Sequence, residues 1–148
     1  MSIRISKNVV QHASAAAMAA LLLTSAVKHF RDPKFYYTVV PKYLCSDAEL
    51  PEGQTSKSPL AVLSRDGWVS ASGWAEAAAA VGLLIPGTRR ASATATASMF
   101  TAFIAGHVYA LERAYGPRGS AKERKFHTVR LPLQLPLIAW AWSLRRRV

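Results

Sequence analysis

The sequence predicts an all-α integral membrane protein, a four-helix bundle with a short interfacial helix in its first long loop. Two observations carry that prediction. Long stretches contain no Lys, Arg, Asp or Glu, and the basic residues collect in the segments between those stretches. A helix rises about 1.5 Å per residue, so roughly 20 uncharged residues cross a hydrocarbon layer of about 30 Å. The whole chain, residues 1–148, reads as a single membrane domain.

The first span is expected over 9–30, because Asn8 to Val27 carries no charged side chain. Arg4 and Lys7, the apolar Ala15–Leu23 and the small residues Thr24-Ser25-Ala26 also fit a cleaved signal peptide. The second span is expected over 66–85, where Glu76 alone is charged between Asp66 and Arg89. Pro86-Gly87 breaks the chain, and the third span follows over 91–113. A fourth is expected over 128–144. There Leu131–Leu144 is uncharged, Pro132 and Pro136 fall in the first turns, and Trp140 and Trp142 suit an interfacial belt before Arg145, Arg146 and Arg147.

Two connections remain. Arg31 to Arg65 opens on Pro33–Pro41, a mixture of aromatics and Lys that suits a short element lying in the membrane interface, and continues as a polar loop. Gly116 to Lys125 reads as a basic loop. Helix 2 is dense in small residues. Gly73 with Ala77 and Ala78 with Gly82 form small-xxx-small pairs that permit close helix approach in lipid, which makes helix 2 the expected packing centre.

Composition narrows the function classes. A soluble Ala-rich bundle would need a recurring charged face, which the first three runs lack. The net charge of +11 does not point to nucleic acid, because the cations flank the uncharged runs as membrane anchors do. One cysteine, Cys45, permits neither an internal disulfide nor a CxxC pair. Arg4, Lys7, Arg89, Arg90, Arg145, Arg146 and Arg147 share the face of both termini with no acidic residue among them. That local density places both termini in the cytoplasm, although the longer loops opposite hold more basic residues in total, diluted by acidic ones.

Following the helices up and down brings polar residues together. His29 closes helix 1, Glu76 lies near mid-span in helix 2, and His107 comes late in helix 3. Arg130 and Gln134 open helix 4, so all five share one half of the bilayer. A carboxylate at that depth must face the bundle and be paired or protonated. The set is either a polar pocket for a small ligand, a quinone head group or a proton relay, or a buried cluster that fixes helix register. No HxxxH or HExxH spacing supports a metal site, and no nucleophile–base pair, phosphate loop or dinucleotide fingerprint marks a catalytic residue. His12 lies toward the opposite face and His127 in the expected loop.

Several stretches resemble a known family. His29-Phe30-x-x-Pro33-x-Phe35 with Val40-Pro41, Ser72-Gly73-x-x-Glu76, Gly82-Leu83-Leu84-Ile85-Pro86-x-Thr88-Arg89-Arg90, and Arg130-Leu131-Pro132-Leu133-Gln134 with Trp140 are similar to motifs of DoxX-like membrane proteins. The resemblance implies a small four-helix bundle of the bacterial inner (plasma) membrane. It also implies kinship with subunits of a thiosulfate–quinone oxidoreductase and with partners of thiol-stress and superoxide-detoxifying proteins. Two functions follow as expectations. One is a non-catalytic accessory or anchor subunit in a redox or stress-response complex, with the lipid bilayer and other membrane proteins, or itself, as partners. The other is a quinone- or lipid-binding oxidoreductase subunit that uses the polar pocket.

Overall fold

The computed structural model describes residues 6–50, 52–53 and 57–146. Arg4 and Arg147, each used above, lie outside the described residues, as does Pro51 of the polar loop. The architecture is all-α and has four helical positions. Helix α1 spans Lys7–Arg31, α2 spans Arg65–Leu84 and α3 spans Arg89–Tyr115, while α4 (Ala121–Arg130) and α5 (Gln134–Ser143) together fill the fourth position. Among the described residues the nearest thing to a strand is an isolated parallel bridge between Cys45 and Leu63.

Local chemistry sets the boundaries. Ser6 and Ser64 cap α1 and α2 by accepting the amides of Asn8 at 3.3 Å and Gly67 at 3.0 Å. The turn after α2 is closed from the other side: Thr88 Oγ1 donates to the Gly82 carbonyl at 2.8 Å and Arg89 Nε to the Leu83 carbonyl at 2.9 Å. Those bonds satisfy carbonyls that a helix end leaves without amide partners.

The fourth element departs from expectation. Instead of one helix over 128–144, α4 begins at Ala121 and stops at Arg130, and α5 begins at Gln134. Pro132 and Pro136 explain the break, since neither offers an amide to the helical ladder, and the amides of Gln134 and Leu135 instead reach the carbonyls of Leu131 and Pro132, three residues back, at 3.1 Å each. The early start has a different cause. Ser120 and Glu123 form a capping box, the Glu123 carboxylate accepting the Ser120 amide at 2.8 Å and Ser120 Oγ accepting the Glu123 amide at 3.2 Å. The predicted loop over 116–125 is therefore half helix, and His127, placed in a loop by sequence, is buried on α4.

The predicted interfacial helix is two 3₁₀ turns, Pro33–Tyr36 and Lys42–Leu44. They form a strap across the end of the bundle opposite the termini. Tyr36 meets Ser25 of α1, the Leu44 carbonyl accepts Trp68 Nε1 of α2 at 2.7 Å, and Phe35 packs on Phe126 of α4. At the other end Trp140 Nε1 of α5 donates to Ser14 Oγ of α1 at 2.8 Å, which brings the chain ends together.

The interior is built of small residues. Ala15, Ala19, Ala79, Ala80, Ala93, Ala97 and Ala141 are buried around Met18, Leu22, Leu83 and Phe100. Large apolar residues point outward instead, among them Trp74 at 68% exposure, Leu135 at 65% and Val81 at 54%. Helix α2 lies between α1 and α3, and its glycines are the points of approach. A Cβ on Gly73 would stand 2.9 Å from the His29 Cβ, and one on Gly82 would strike Ser92. Ala78, expected to pair with Gly82, is exposed. Among the described residues α1 alone is both long and apolar enough to cross a membrane, with a mean hydropathy of 1.4 over its best stretch.

The strap is seated on α3 at Gly106, where an added Cβ would collide with the Val39 carbonyl. A backbone atom cannot rotate away as a side chain can. Gly106→Ala is therefore expected to lower stability by about 1–3 kcal/mol. Gly87→Ala, which meets nothing within 4 Å, is expected to stay within about 0.5 kcal/mol of the parent. Thermal unfolding of both variants in mild detergent measures the difference.

Candidate functional site

The five polar residues selected from the sequence line one cavity of about 360 Å³: His29 from α1, Glu76 from α2, His107 from α3, Arg130 from α4 and Gln134 from α5. Antiparallel helices and a common depth produce this meeting. Each side chain lies in the half of the bundle nearest the strap, and the interface alanines leave room between the helix axes.

His29 is the most constrained of the five. Its Nδ1 lies 2.9 Å from the Ser25 carbonyl and 3.5 Å from Glu76 Oε2. A carbonyl only accepts, so Nδ1 carries a proton and directs it at Ser25, with Glu76 standing just beyond bonding range. The Tyr36 ring stacks on the imidazole at 3.6 Å between centroids, and its hydroxyl reaches the Ser25 carbonyl at 3.3 Å. Burial pushes the Tyr36 phenol above its ordinary range, and the Glu76 and Asp32 charges act the same way against the Ser25 and Arg130 contacts. Tyr36 therefore remains a hydrogen-bond donor throughout the physiological range.

Three groups each bury an atom that makes no hydrogen bond, Glu76 having only the His29 imidazole at 3.5 Å. Glu76 Oε2, His107 Nδ1 and Gln134 Oε1 are buried atoms with no hydrogen bond, in residues 3%, 4% and 6% exposed. They come from three different helices and line the same cavity. A hydrogen bond to a buried polar atom is worth about 1–3 kcal/mol, so these three atoms are the points in the cavity where a bound polar group gains most. Arg130 completes this wall, its guanidinium held over the rings of Phe35 at 5.5 Å and Phe126 at 5.4 Å.

The remaining wall is apolar. Leu22, Val69, Phe100, Phe103 and Leu137 come from the helices, and Val39, Val40, Pro41 and Leu44 from the strap. Leu21, Ala102 and Ala105 line the cavity while exposed, so its apolar part reaches the outer surface of the bundle. A volume of this size is at the lower end of the roughly 300–1,000 Å³ common for small-molecule sites. It admits a ring or short polar head, and the apolar opening gives a tail a way out. Among the described residues no three of His, Cys, Asp and Glu lie close enough to share a metal ion.

Sequence reasoning missed the strap residues, Tyr36 above all, along with Ser25 and Trp68. No spacing announces them, because their contacts join segments distant in the chain. His127 was also misplaced, although the Ser120-x-x-Glu123 pattern signals the helix that carries it. His12 stays apart at the opposite end, where its Nδ1 lies 3.0 Å from an Arg89 nitrogen. Cys45 is buried, with Sγ 3.4 Å from the Pro41 carbonyl.

A family model described as Domain of unknown function (DUF8561) matches residues 18–145. No curated protein and no solved structure matches the chain.

Tyr36 holds the strap to the cavity in two ways that mutation separates. Tyr36→Phe removes the hydroxyl bond and keeps the stack, with an expected cost of about 1 kcal/mol. Tyr36→Ala removes both, and limited tryptic digestion should then cut at Lys34 and Lys42 several-fold faster than in the parent. Equal digestion rates for the two variants would show that stacking does not hold the strap.

Proposed function

The chain belongs to the DUF8561 family, and from the cavity that its helices and strap enclose we propose a multi-pass membrane protein that binds an amphipathic small molecule of the quinone or lipid class. The observation that carries this reading is the set of buried atoms without a hydrogen bond, Glu76 Oε2, His107 Nδ1 and Gln134 Oε1, which line one cavity with a polar end and a largely apolar wall. A quinone carbonyl or quinol hydroxyl complements them, as does the hydroxyl or ester of a lipid head. Arg130 supplies donors to the same polar end.

The distribution of side chains supports a bilayer setting. Alanine and glycine fill the helix contacts and large apolar residues face out, the arrangement that suits packing in lipid, where burying apolar surface between helices gains nothing. The residues that resemble DoxX-like motifs support the same reading, because His29, Val40, Pro41, Ser72, Glu76, Arg130 and Gln134 all line the cavity. In this proposal four spans cross a bacterial inner membrane with both termini cytoplasmic, and the strap lies at the opposite face.

A second reading is a non-catalytic accessory or anchor subunit of a redox or stress-response membrane complex. The outer face of α2 favours it, since exposed Ala71 and Ala75 flank Trp74 and suit a helix from a partner. The two readings are compatible if the ligand serves the partner's chemistry.

Trp68 lines the cavity and reports on its contents. In a background of Trp74→Phe, Trp140→Phe and Trp142→Phe, a short-chain benzoquinone should quench Trp68 emission saturably in detergent. Glu76→Gln and His107→Ala should each weaken that binding about tenfold or more while accumulating normally, since losing one bond to a buried polar group is worth about 1–3 kcal/mol. Failure of both variants to accumulate would assign the cluster to helix register instead. Release of the protein from membranes by an alkaline carbonate wash would defeat the multi-pass proposal.

A further inference from the structure

A second cavity, of about 470 Å³, lies beyond the first at the strap end of the bundle. Its character differs. Lys42 of the strap, Arg113 of α3, Arg118 of the α3–α4 link and His127 of α4 line it, with Glu123 as the one acidic group. Glu123 is already committed, since its Oε2 accepts both the amide and the hydroxyl of Ser120 at 2.8 Å. Those bonds hold its carboxyl below the usual range, so it remains ionised. Among the described residues none of Lys42, Arg113 and Arg118 forms an ion pair.

The link that carries these residues is fixed rather than loose. The Gly116 amide donates to the Arg113 carbonyl at 3.1 Å and the Gly119 amide to the Gly116 carbonyl at 3.0 Å. A Cβ on Gly119 would collide with the Ala114 carbonyl, so the link packs directly on the end of α3. His127 gives the cavity a buried wall. The residue is 5% exposed, and its Nδ1 is a buried atom without a hydrogen-bond partner. Three exposed cations face a common space in which the Glu123 carboxylate is the one negative charge, and an imidazole nitrogen there lacks a bond. An anion with several acceptor oxygens complements both.

We propose that this basic cavity binds a phosphate group, held by Lys42, Arg113 and Arg118 with His127 as an additional hydrogen-bonding contact. The site stands on its own residues and does not rest on the reading of the apolar cavity. The phosphate can belong to the headgroup of an anionic phospholipid, at the level where the strap meets solvent, or to a free phosphate compound.

The test uses the full chain in two arms. In the first, the protein is placed in nanodiscs containing phosphatidylglycerol and phosphatidylcholine, and native mass spectrometry counts the lipids retained on release. In the second, inorganic phosphate is titrated into detergent-solubilised protein by calorimetry. Selective retention of phosphatidylglycerol with weak phosphate binding identifies a headgroup site, while tight phosphate binding without lipid selectivity identifies a free ligand. In either case Arg113→Gln with Arg118→Gln should weaken binding about tenfold or more, given the strength of charge-assisted bonds. Lys125→Gln, which removes an exposed charge from α4 outside the cavity, should leave it within about twofold. Circular dichroism checks that the variants keep their helices. Absence of binding in both arms overturns the proposal. Equal weakening by Lys125→Gln also overturns it, because the attraction would then come from diffuse surface charge.

Discussion

The close approach of α1 to α2 at Gly73 is the constraint on which the polar centre depends. Any side chain there would meet the Cβ of His29 at 2.9 Å and the ring of Phe30 at 3.1 Å. With that space kept free, His29 descends far enough for its imidazole to face Glu76, one helical turn beyond Gly73. The ring then lies flat enough for Tyr36 to stack on it, which draws the strap over the end of the bundle. A missing side chain thus sets the position of a buried carboxylate, an imidazole and the loop that closes over them.

The polar centre is also under tension. A helical bundle can silence buried polar atoms by pairing them with one another, as His29 does with the Ser25 carbonyl. Glu76, His107 and Gln134 leave atoms unsatisfied although all three line one small space. Atoms of this kind work against folding until something bonds to them, so the centre contributes less to stability than its burial alone would give.

Much of this arrangement was legible in the chain. The uncharged runs located α1, α2 and α3 to within two residues at each end, because a charged side chain marks a helix end here more clearly than any propensity does. The meeting of His29, Glu76, His107, Arg130 and Gln134 followed from counting residues along antiparallel helices, which needs no side-chain detail. The fourth position was misread because hydropathy sees Leu131–Leu144 as continuous, whereas Pro132 and Pro136 interrupt the amide ladder. The strap was the least legible part. Its course depends on Tyr36, Val39 and Leu44 finding Ser25, Gly106 and Trp68, contacts that no local pattern encodes.

The strap has one further property. Val39, Val40 and Pro41 line the apolar cavity, while Thr38 and Lys42, the residues on either side, line the basic one. A single stretch of backbone is therefore the dividing wall between two chambers, one largely apolar and one basic. Such a wall makes the chambers thermodynamic neighbours. Whatever factor the guest of one chamber imposes on affinity in the other by displacing the wall, the second guest must return in full.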